Sequence, residues 1–423
     1  MAKQRTIKRE VSLEGVGLHT GNQVTLTFKP APIDNGYTFV RTDIEGNPVI
    51  EADVNFVVNT QRGTNLEKNG VSIQTSEHVL AACVGLEIDN VIIEINSSEP
   101  PIMDGSSKFF VEALEEAGIQ EQEAQREEYV VEEVIRYVDE DTGSEILVMP
   151  AEEYQVTAMV DFGTKILGTQ NASLNKLSDF KSEIANARTF SFLHEIETLL
   201  ENGLIKGGDL NNAIVYVDKE LSPDTMEKLR EAFKKDNISV KPNGILDNLT
   251  LHYPNEAARH KLLDVVGDLA LVGTRIKGKV IANKPGHHVN TEFAKKLLRI
   301  IKAEKRNNIP KFDLDQPPLM DVNQIMEILG IGPARGVQPD QAALADAHSL
   351  DHHGIEVYRA RVRLAMGDLD GAAADAARRS VAPSAPVSRV VTSRRSLVPR
   401  SRLTSPASSI RSNAPRTASG EWA

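Results

Sequence analysis

The sequence predicts an α+β protein made of two similar halves, and three observations predict it. Segments with period-two alternation, broken by Gly, Asp, Asn and Pro, give way to segments with a helical period. That change occurs twice in the same order of helix, strand, loop and helix. Composition then shifts near Leu329, separating the two halves from the C-terminal remainder of the chain. The expected organisation is a first domain over 1–125, a second over 126–308, each with helices on one face of its sheet, a linker over 309–329 and a tail over 330–423.

The elements are expected in this order. TIKREVSLEG, NQVTLTFKPA and YTFVRTDIEG read as strands separated by turns. TSEHVLAACVGL places Val79, Cys83 and Leu86 on one apolar stripe of a helix, with Thr75 and Ser76 as N-cap candidates. NVIIEINSS is a strand, PPIMDGSS a loop, and KFFVEALEEAG a helix closed by Gly118. The acidic stretch EQEAQREEYVVEE marks a boundary near 121–129. Strands around Ile146–Pro150 and Tyr154–Val160 open the second half, where residues 146–170 read as a βαβ-like stretch. ARHKLLDVVGDLALVG is a helix, GKVIANKP a strand, GHHVN a loop and TEFAKKLLRIIKAEK a second helix. His78 to Asp104 spans 26 residues and His260 to His287 spans 27, which suggests duplication.

The chain has 423 residues and net charge −12, unlike the basic surface that general nucleic-acid binding needs. Residues 1–329 hold all 23 Lys, with 12 Arg against 52 acidic residues, net −17; residues 330–423 hold 13 Arg, no Lys and 8 acidic residues, net +5. A single cysteine excludes a disulfide framework and any zinc site built on two thiolates. No run of 18 apolar residues codes a membrane span, and MAKQRTIKRE lacks the apolar stretch of a signal peptide. A cytoplasmic protein is expected.

The chemistry concentrates on a few polar residues. His260, Asp264 and Asp268 recur every four residues and share one helix face. A His/Asp pair at that spacing suits one metal ion, although it also suits a solvated stripe. Glu77–His78 opens the first apolar helix: a second histidine completes a His, His, Asp set with one position open for water, and an adjacent Glu can take a proton from that water. Alternatively, Glu77 is only a favourable acid in a first helical turn. No HExxH is present, which excludes the two-histidine helix of common metalloproteases. His287 and His288 follow a glycine in KPGHHVN, where one could protonate a leaving group with Asp268 behind it, or both could face solvent. GVGLHTG is not a P-loop, since GxxxxGK[ST] is absent, and it leaves a backbone-close turn with His19. Cys83, on the apolar stripe, reads as core.

GVGLHTG, NTQRGTNL, TSEHVLAACVGLEIDNVIIEINSSEPPIMDGSS, ARTFSF, RHKLLDVVGDLALVG and PGHHVN, in that order, resemble the UDP-3-O-acyl-N-acetylglucosamine deacetylase family over residues 1 to about 305. The resemblance implies two duplicated α+β domains packed as a layered sandwich with the site at their junction. It also implies zinc-dependent hydrolysis of the N-acetyl group of UDP-3-O-(3-hydroxyacyl)-N-acetylglucosamine, the committed step of lipid A biosynthesis. Carried onto this sequence, it makes His78, His260 and Asp264 the Zn²⁺ ligands, with Fe²⁺ an alternative, and Glu77 the general base. His287 becomes the general acid supported by Asp268, Thr189 an oxyanion donor, and Lys261 a lysine near the substrate's polar head. Leu18, His19, Phe190 and Phe192 resemble substrate-contact positions. The implied partner is a small-molecule nucleotide sugar with an acyl chain, held by the apolar stretch near 146–170; no nucleic acid and no obligate protein partner are expected.

LMDVNQIMEIL resembles the opening of a 3-hydroxyacyl-carrier-protein dehydratase module, which some members of the family carry at the C-terminus. The likeness stops at Leu329, with no His- or Glu-bearing dehydratase signature after it, so dehydratase activity is not expected. Residues 330–423 read as unrelated sequence joined there, with a helical rhythm around Gly367 and Asp368 and disorder from about 382. The competing readings are a bifunctional deacetylase–dehydratase and a metal-free nucleotide-sugar binding module.

Overall fold

A computed structural model of the chain describes residues 2–164, 166–196, 212–218, 227, 229–230, 239–242, 244–246 and 249–307. The expectations for the 309–329 linker and the 330–423 tail lie outside these residues. Within them the protein mixes helix and sheet, as the sequence predicts.

The first half supplies β1 (Val11–Val16), β2 (Gln23–Pro30), β3 (Tyr37–Arg41), β4 (Val49–Glu51), α1 (Glu77–Gly85), β5 (Val91–Ile95) and α2 (Lys108–Ala117). The second supplies β6 (Ile135–Asp139), β7 (Ser144–Met149), β8 (Gln155–Asp161), β9 (Thr169–Leu174), the short α3 (Phe180–Glu183), α4 (Glu256–Ala270), β10 (Lys279–Asn283) and α5 (His287–Asn307). The first sheet has the order β1-β2-β5-β3-β4 and the second β6-β7-β10-β8-β9. Each is antiparallel except where its late central strand lies parallel to a neighbour, β5 on β3 and β10 on β8. Strand order and directions therefore repeat.

One-sided burial explains both sheets. Val24, Leu26 and Phe28 alternate inward on β2, as Val156, Ala158 and Val160 do on β8, so each sheet has one apolar face that needs a cover. Helices provide it: α1 packs on α4, and α4 on β8 and β9. A single core joins Phe28 and Phe39 of the first sheet, Leu80 of α1, Leu262 of α4 and Val156 of the second sheet. Cys83 is fully buried in it, and burial pushes its thiol up to about 12, as expected of a core residue. No described helix is long and apolar enough to cross a membrane.

Several local expectations are corrected. Ser76 takes the N-cap position of α1 as expected, but its hydroxyl makes no cap bond and donates instead to the Thr64 carbonyl, while Thr75 Oγ1 donates to Glu99 Oε1. GHHVN is not a loop; His287 is the first residue of α5, and Asn290 N–H already donates to the Gly286 carbonyl. Among its described residues the 146–170 stretch contains no crossover helix: β8 and β9 are antiparallel neighbours, and β7 and β8 both flank β10. Apart from these corrections, the chain around the expected boundary at 121–129 lies in ladders, Ile119–Gln125 against Lys3–Ile7 and Glu128–Val130 parallel to Arg275–Lys277. Both are two-stranded ribbons, so neither shows the clean apolar alternation of a half-buried sheet. Finally, Asp104 lies in a turn, accepting from Ser106, whereas His287 opens a helix, so the matching offsets do not mark equivalent positions.

Candidate metal centre and acid–base pair

The site forms where the first turn of α1 meets α4. Gly267 permits that meeting, since a Cβ there would lie 2.1 Å from the Glu77 carbonyl oxygen. The close approach sets Glu77 and His78 against the face of α4 that carries His260, Asp264 and Asp268. The first residue of α5, His287, joins them. All six side chains are buried.

Two clusters result, His78 with His260 and Asp264, and Glu77 with Asp268 and His287. In the first, Asp264 Oδ1 lies 3.5 Å from His260 Nε2 and 3.9 Å from His78 Nε2, and the two rings meet edge to face at 5.1 Å. His260 Nδ1–H donates to the Ala187 carbonyl at 3.0 Å, which leaves the Nε2 lone pair facing Asp264. Burial, with His260 beside it, pushes His78 down to about 3, and burial lowers His260 too, so both rings are neutral donors. Burial opposes the Asp264 anion, but His260 and Lys261 next to it hold its carboxyl below the usual carboxylate range. Neither Asp264 oxygen accepts a hydrogen bond among the described residues; the Lys261 ammonium forms an ion pair with Oδ2 at 3.2 Å, and the two imidazole Nε2 atoms face Oδ1. With one ion pair and no hydrogen bond, this buried carboxylate keeps Oδ1 free for a further cation beside the two imidazoles. Two neutral imidazoles and that carboxylate fit a divalent metal with a coordination position left open.

The second cluster suits proton transfer. Asp268, fully buried, accepts from His287 Nδ1 at 3.0 Å and Asn290 Nδ2 at 2.8 Å on one oxygen, and from Thr64 Oγ1 at 2.5 Å on the other. Burial works against the His287 cation, but Asp268 and Glu77 raise it to about 9. His287 Nε2 lies 3.9 Å from Glu77 Oε1. Burial pushes Glu77 up to about 7, with His287 pulling the other way and Thr64 N–H donating to Oε2 at 2.9 Å. A carboxylate base and an imidazolium acid therefore stand side by side between about pH 7 and 9.

The other candidates surround these clusters. Thr189 lies two residues past Ala187; its N–H donates to the Gly105 carbonyl and its own carbonyl accepts from Ile214. The buried Arg188–Glu256 ion pair, 2.8 Å, ties this segment to the first residue of α4. Phe190 meets the His260 ring at 6.3 Å and the Lys261 ammonium at 5.6 Å. Lys261 is thus a buried neighbour of Asp264 rather than an exposed cation. Phe192 lies in an apolar cluster with Leu167, Ile214 and Tyr216, against which Phe162 and Ile166 pack. Leu18 and His19 are half-buried in a turn held by Glu99, which accepts from the His19 and Thr20 N–H groups and also from Thr75 Oγ1, two residues before Glu77. His288 is exposed.

Sequence reasoning missed Thr64, Asn290, Glu99 and the Ala187 carbonyl. Thr64 stood inside the NTQRGTNL motif, but nothing local assigns its hydroxyl to a carboxylate 204 residues away.

Comparison with known proteins adds an independent line. The family model described as UDP-3-O-acyl N-acetylglycosamine deacetylase matches residues 4–235 and 224–299. A protein named bifunctional enzyme LpxC/FabZ from Bacteroides thetaiotaomicron is 44% identical over 329 residues, 78% of this chain and 71% of that protein. A namesake from Porphyromonas gingivalis is 43% identical over the same shares. UDP-3-O-acyl-N-acetylglucosamine deacetylase from Myxococcus xanthus is 38% identical over 297 residues, 70% of this chain and 86% of that protein. With a family model and relatives of this extent in agreement, the chain belongs to the UDP-3-O-acyl N-acetylglycosamine deacetylase family.

Proposed function

We propose that this chain is a zinc-dependent amidohydrolase that removes the N-acetyl group of UDP-3-O-(3-hydroxyacyl)-N-acetylglucosamine, the committed step of lipid A biosynthesis. The observation that carries the reading is the adjacency of two buried clusters, one offering two neutral imidazoles and a carboxylate that accepts no hydrogen bond among the described residues, the other a carboxylate beside an imidazolium. His78, His260 and Asp264 would hold Zn²⁺, which when bound polarises a carbonyl and brings the pKa of a water toward about 7. An N,N,O set also admits Fe²⁺.

The protein's own groups divide the remaining work. Glu77 takes the proton of the attacking water, whose oxygen bonds to the acetyl carbon. Thr189 donates its hydroxyl hydrogen bond to the carbonyl oxygen as negative charge develops there. His287, its cation favoured by Asp268, gives a proton to the sugar nitrogen as the C–N bond breaks, so the amine leaves neutral and acetate remains. The Phe162, Leu167, Phe192 and Tyr216 cluster is assigned to the acyl chain, with Phe190, Leu18 and His19 as further contacts. Lys261 is assigned to the polar head of the substrate. The reading assigns the enzyme to the cytoplasm, with the nucleotide sugar as its partner and neither nucleic acid nor an obligate protein partner. Repetition of one sheet topology supports domains over 1–125 and 126–308.

Purified protein given this nucleotide sugar is expected to release acetate and to carry about one zinc per chain. Glu77→Ala should keep its zinc while turnover falls by about 10²–10⁴-fold. A zinc ratio far below one together with no acetate release would falsify the reading; loss of metal from Glu77→Ala would make Glu77 structural instead.

A further inference from the structure

Thr64 belongs neither to the metal set nor to the acid–base pair, yet it is bonded to both carboxylates that serve the pair. Its N–H donates to Glu77 Oε2 at 2.9 Å and its hydroxyl to Asp268 Oδ1 at 2.5 Å. Its carbonyl accepts from Ser76 N at 3.2 Å and Ser76 Oγ at 3.0 Å, and the residue has no exposed surface. Every polar group of Thr64 is therefore engaged with the proposed chemistry or with the residue preceding Glu77.

The direction of the hydroxyl bond is fixed by the proton count. A threonine hydroxyl has one proton, and the Asp268 carboxyl already accepts from His287 and Asn290 on its other oxygen, so Thr64 donates. Its lone pairs then face His287 Nδ1, 3.3 Å away. Asp268 Oδ2 takes His287 Nδ1–H and Asn290, while Oδ1 has the Thr64 hydroxyl as its hydrogen-bond donor among the described residues. Without that bond the carboxylate is held on one oxygen alone, and its terminal torsion is soft. Rotation there would swing His287 Nε2 away from Glu77 Oε1, now 3.9 Å distant.

We infer that Thr64 is a positioning residue for the deacetylation proposed above: its hydroxyl fixes the Asp268 carboxylate and thereby the aim of His287, while its N–H fixes Glu77. Glu77 comes from the first half of the chain, and Asp268 and His287 from the second. One side chain and its own amide thus set the separation of base and acid. Both must serve a single C–N bond, so an error in that separation should slow the chemical step more than substrate binding.

Thr64→Val removes the hydroxyl with little change of shape and keeps the N–H; Thr64→Ser keeps both. The inference expects kcat of Thr64→Val to fall about 10- to 100-fold with KM within about threefold, an unchanged metal content and a serine variant within about threefold of wild type. In a His287→Ala background, Thr64→Val should cost nothing further, because the residue it acts through is gone. A valine variant within about twofold of wild type, a serine variant as slow as valine, or losses that multiply in the double variant would each overturn it. If the valine variant does not fold, Thr64→Ala against Thr64→Ser makes the same comparison, slow alanine with fast serine supporting the inference and two fast variants refuting it. Wild-type protein that releases no acetate refutes the deacetylase reading itself, whereas an active wild type with an equally active valine variant refutes only the role of Thr64.

Discussion

α1 and α4 each precede the strand that enters the middle of its sheet, and they carry very different chemistry. In α1 the polar residues are the first two, Glu77 and His78, and the rest of the helix is apolar. In α4 the residues that face Glu77 and His78 are spread one per turn, at His260, Asp264 and Asp268, among further polar residues at Glu256, Arg259 and Lys261. The helices after those strands differ as well. The chain runs from Ile95 through SSEPPIMDGSS before α2 begins at Lys108, whereas only residues 284–286 separate β10 from His287. The short connection delivers an imidazole to the end of a central strand; the long one does not. Repetition therefore explains the scaffold, and departures from it explain the site.

Removing the contribution of α4 should do the most damage. Asp264→Ala is expected to bring metal content from about one per chain to near zero and to abolish acetate release, measured by elemental analysis and turnover together. Full metal content in that variant would exclude Asp264 as a ligand. The contribution of α5 is next. His287→Ala should retain metal while kcat falls by roughly 10²–10⁴-fold. The wild-type profile should rise through about pH 7 as Glu77 loses its proton and fall through about pH 9 as His287 loses its own, the two limbs belonging to the interacting pair. Only the falling limb should vanish in His287→Ala; a profile unchanged in shape would assign that limb elsewhere.

The contact between α1 and α4 can be tested without touching a reactive group. An added methyl at Gly267 meets backbone at 2.1 Å, so Gly267→Ala should cost about 1–3 kcal/mol of stability and lower turnover as Glu77 is displaced. Gly286→Ala, whose added carbon meets nothing within 4 Å, is the control and should leave the thermal midpoint nearly unchanged. Equal midpoints for the two variants would mean that the helices can separate at no cost.

How legible each part was in the sequence depends on how local its cause is. The α4 residues were readable because a four-residue recurrence is itself the geometry of a helix face. Glu77–His78 was readable as the opening of an apolar helix, though its neighbours were not. The paired ribbons Ile119–Gln125 and Glu128–Val130 were hidden because their partners, Lys3–Ile7 and Arg275–Lys277, lie more than a hundred residues away and leave little apolar alternation. His287 looked like a loop residue because Gly286, two histidines and an asparagine carry no local helix signal; burial beneath Asp268 and Asn290 supplies what propensity does not. Thr64 was invisible for the same reason, since its partner is set by tertiary packing.

The division of the site between α1 and the far end of the chain also has a consequence in time. During synthesis α1 emerges early, but His287 comes 209 residues after His78. At 5–20 residues per second, about 10–40 s pass in which Glu77 and His78 exist without the groups that complete their clusters. The nascent protein is therefore expected to be catalytically silent, and to assemble the three residues proposed to hold the metal only after α4 has docked.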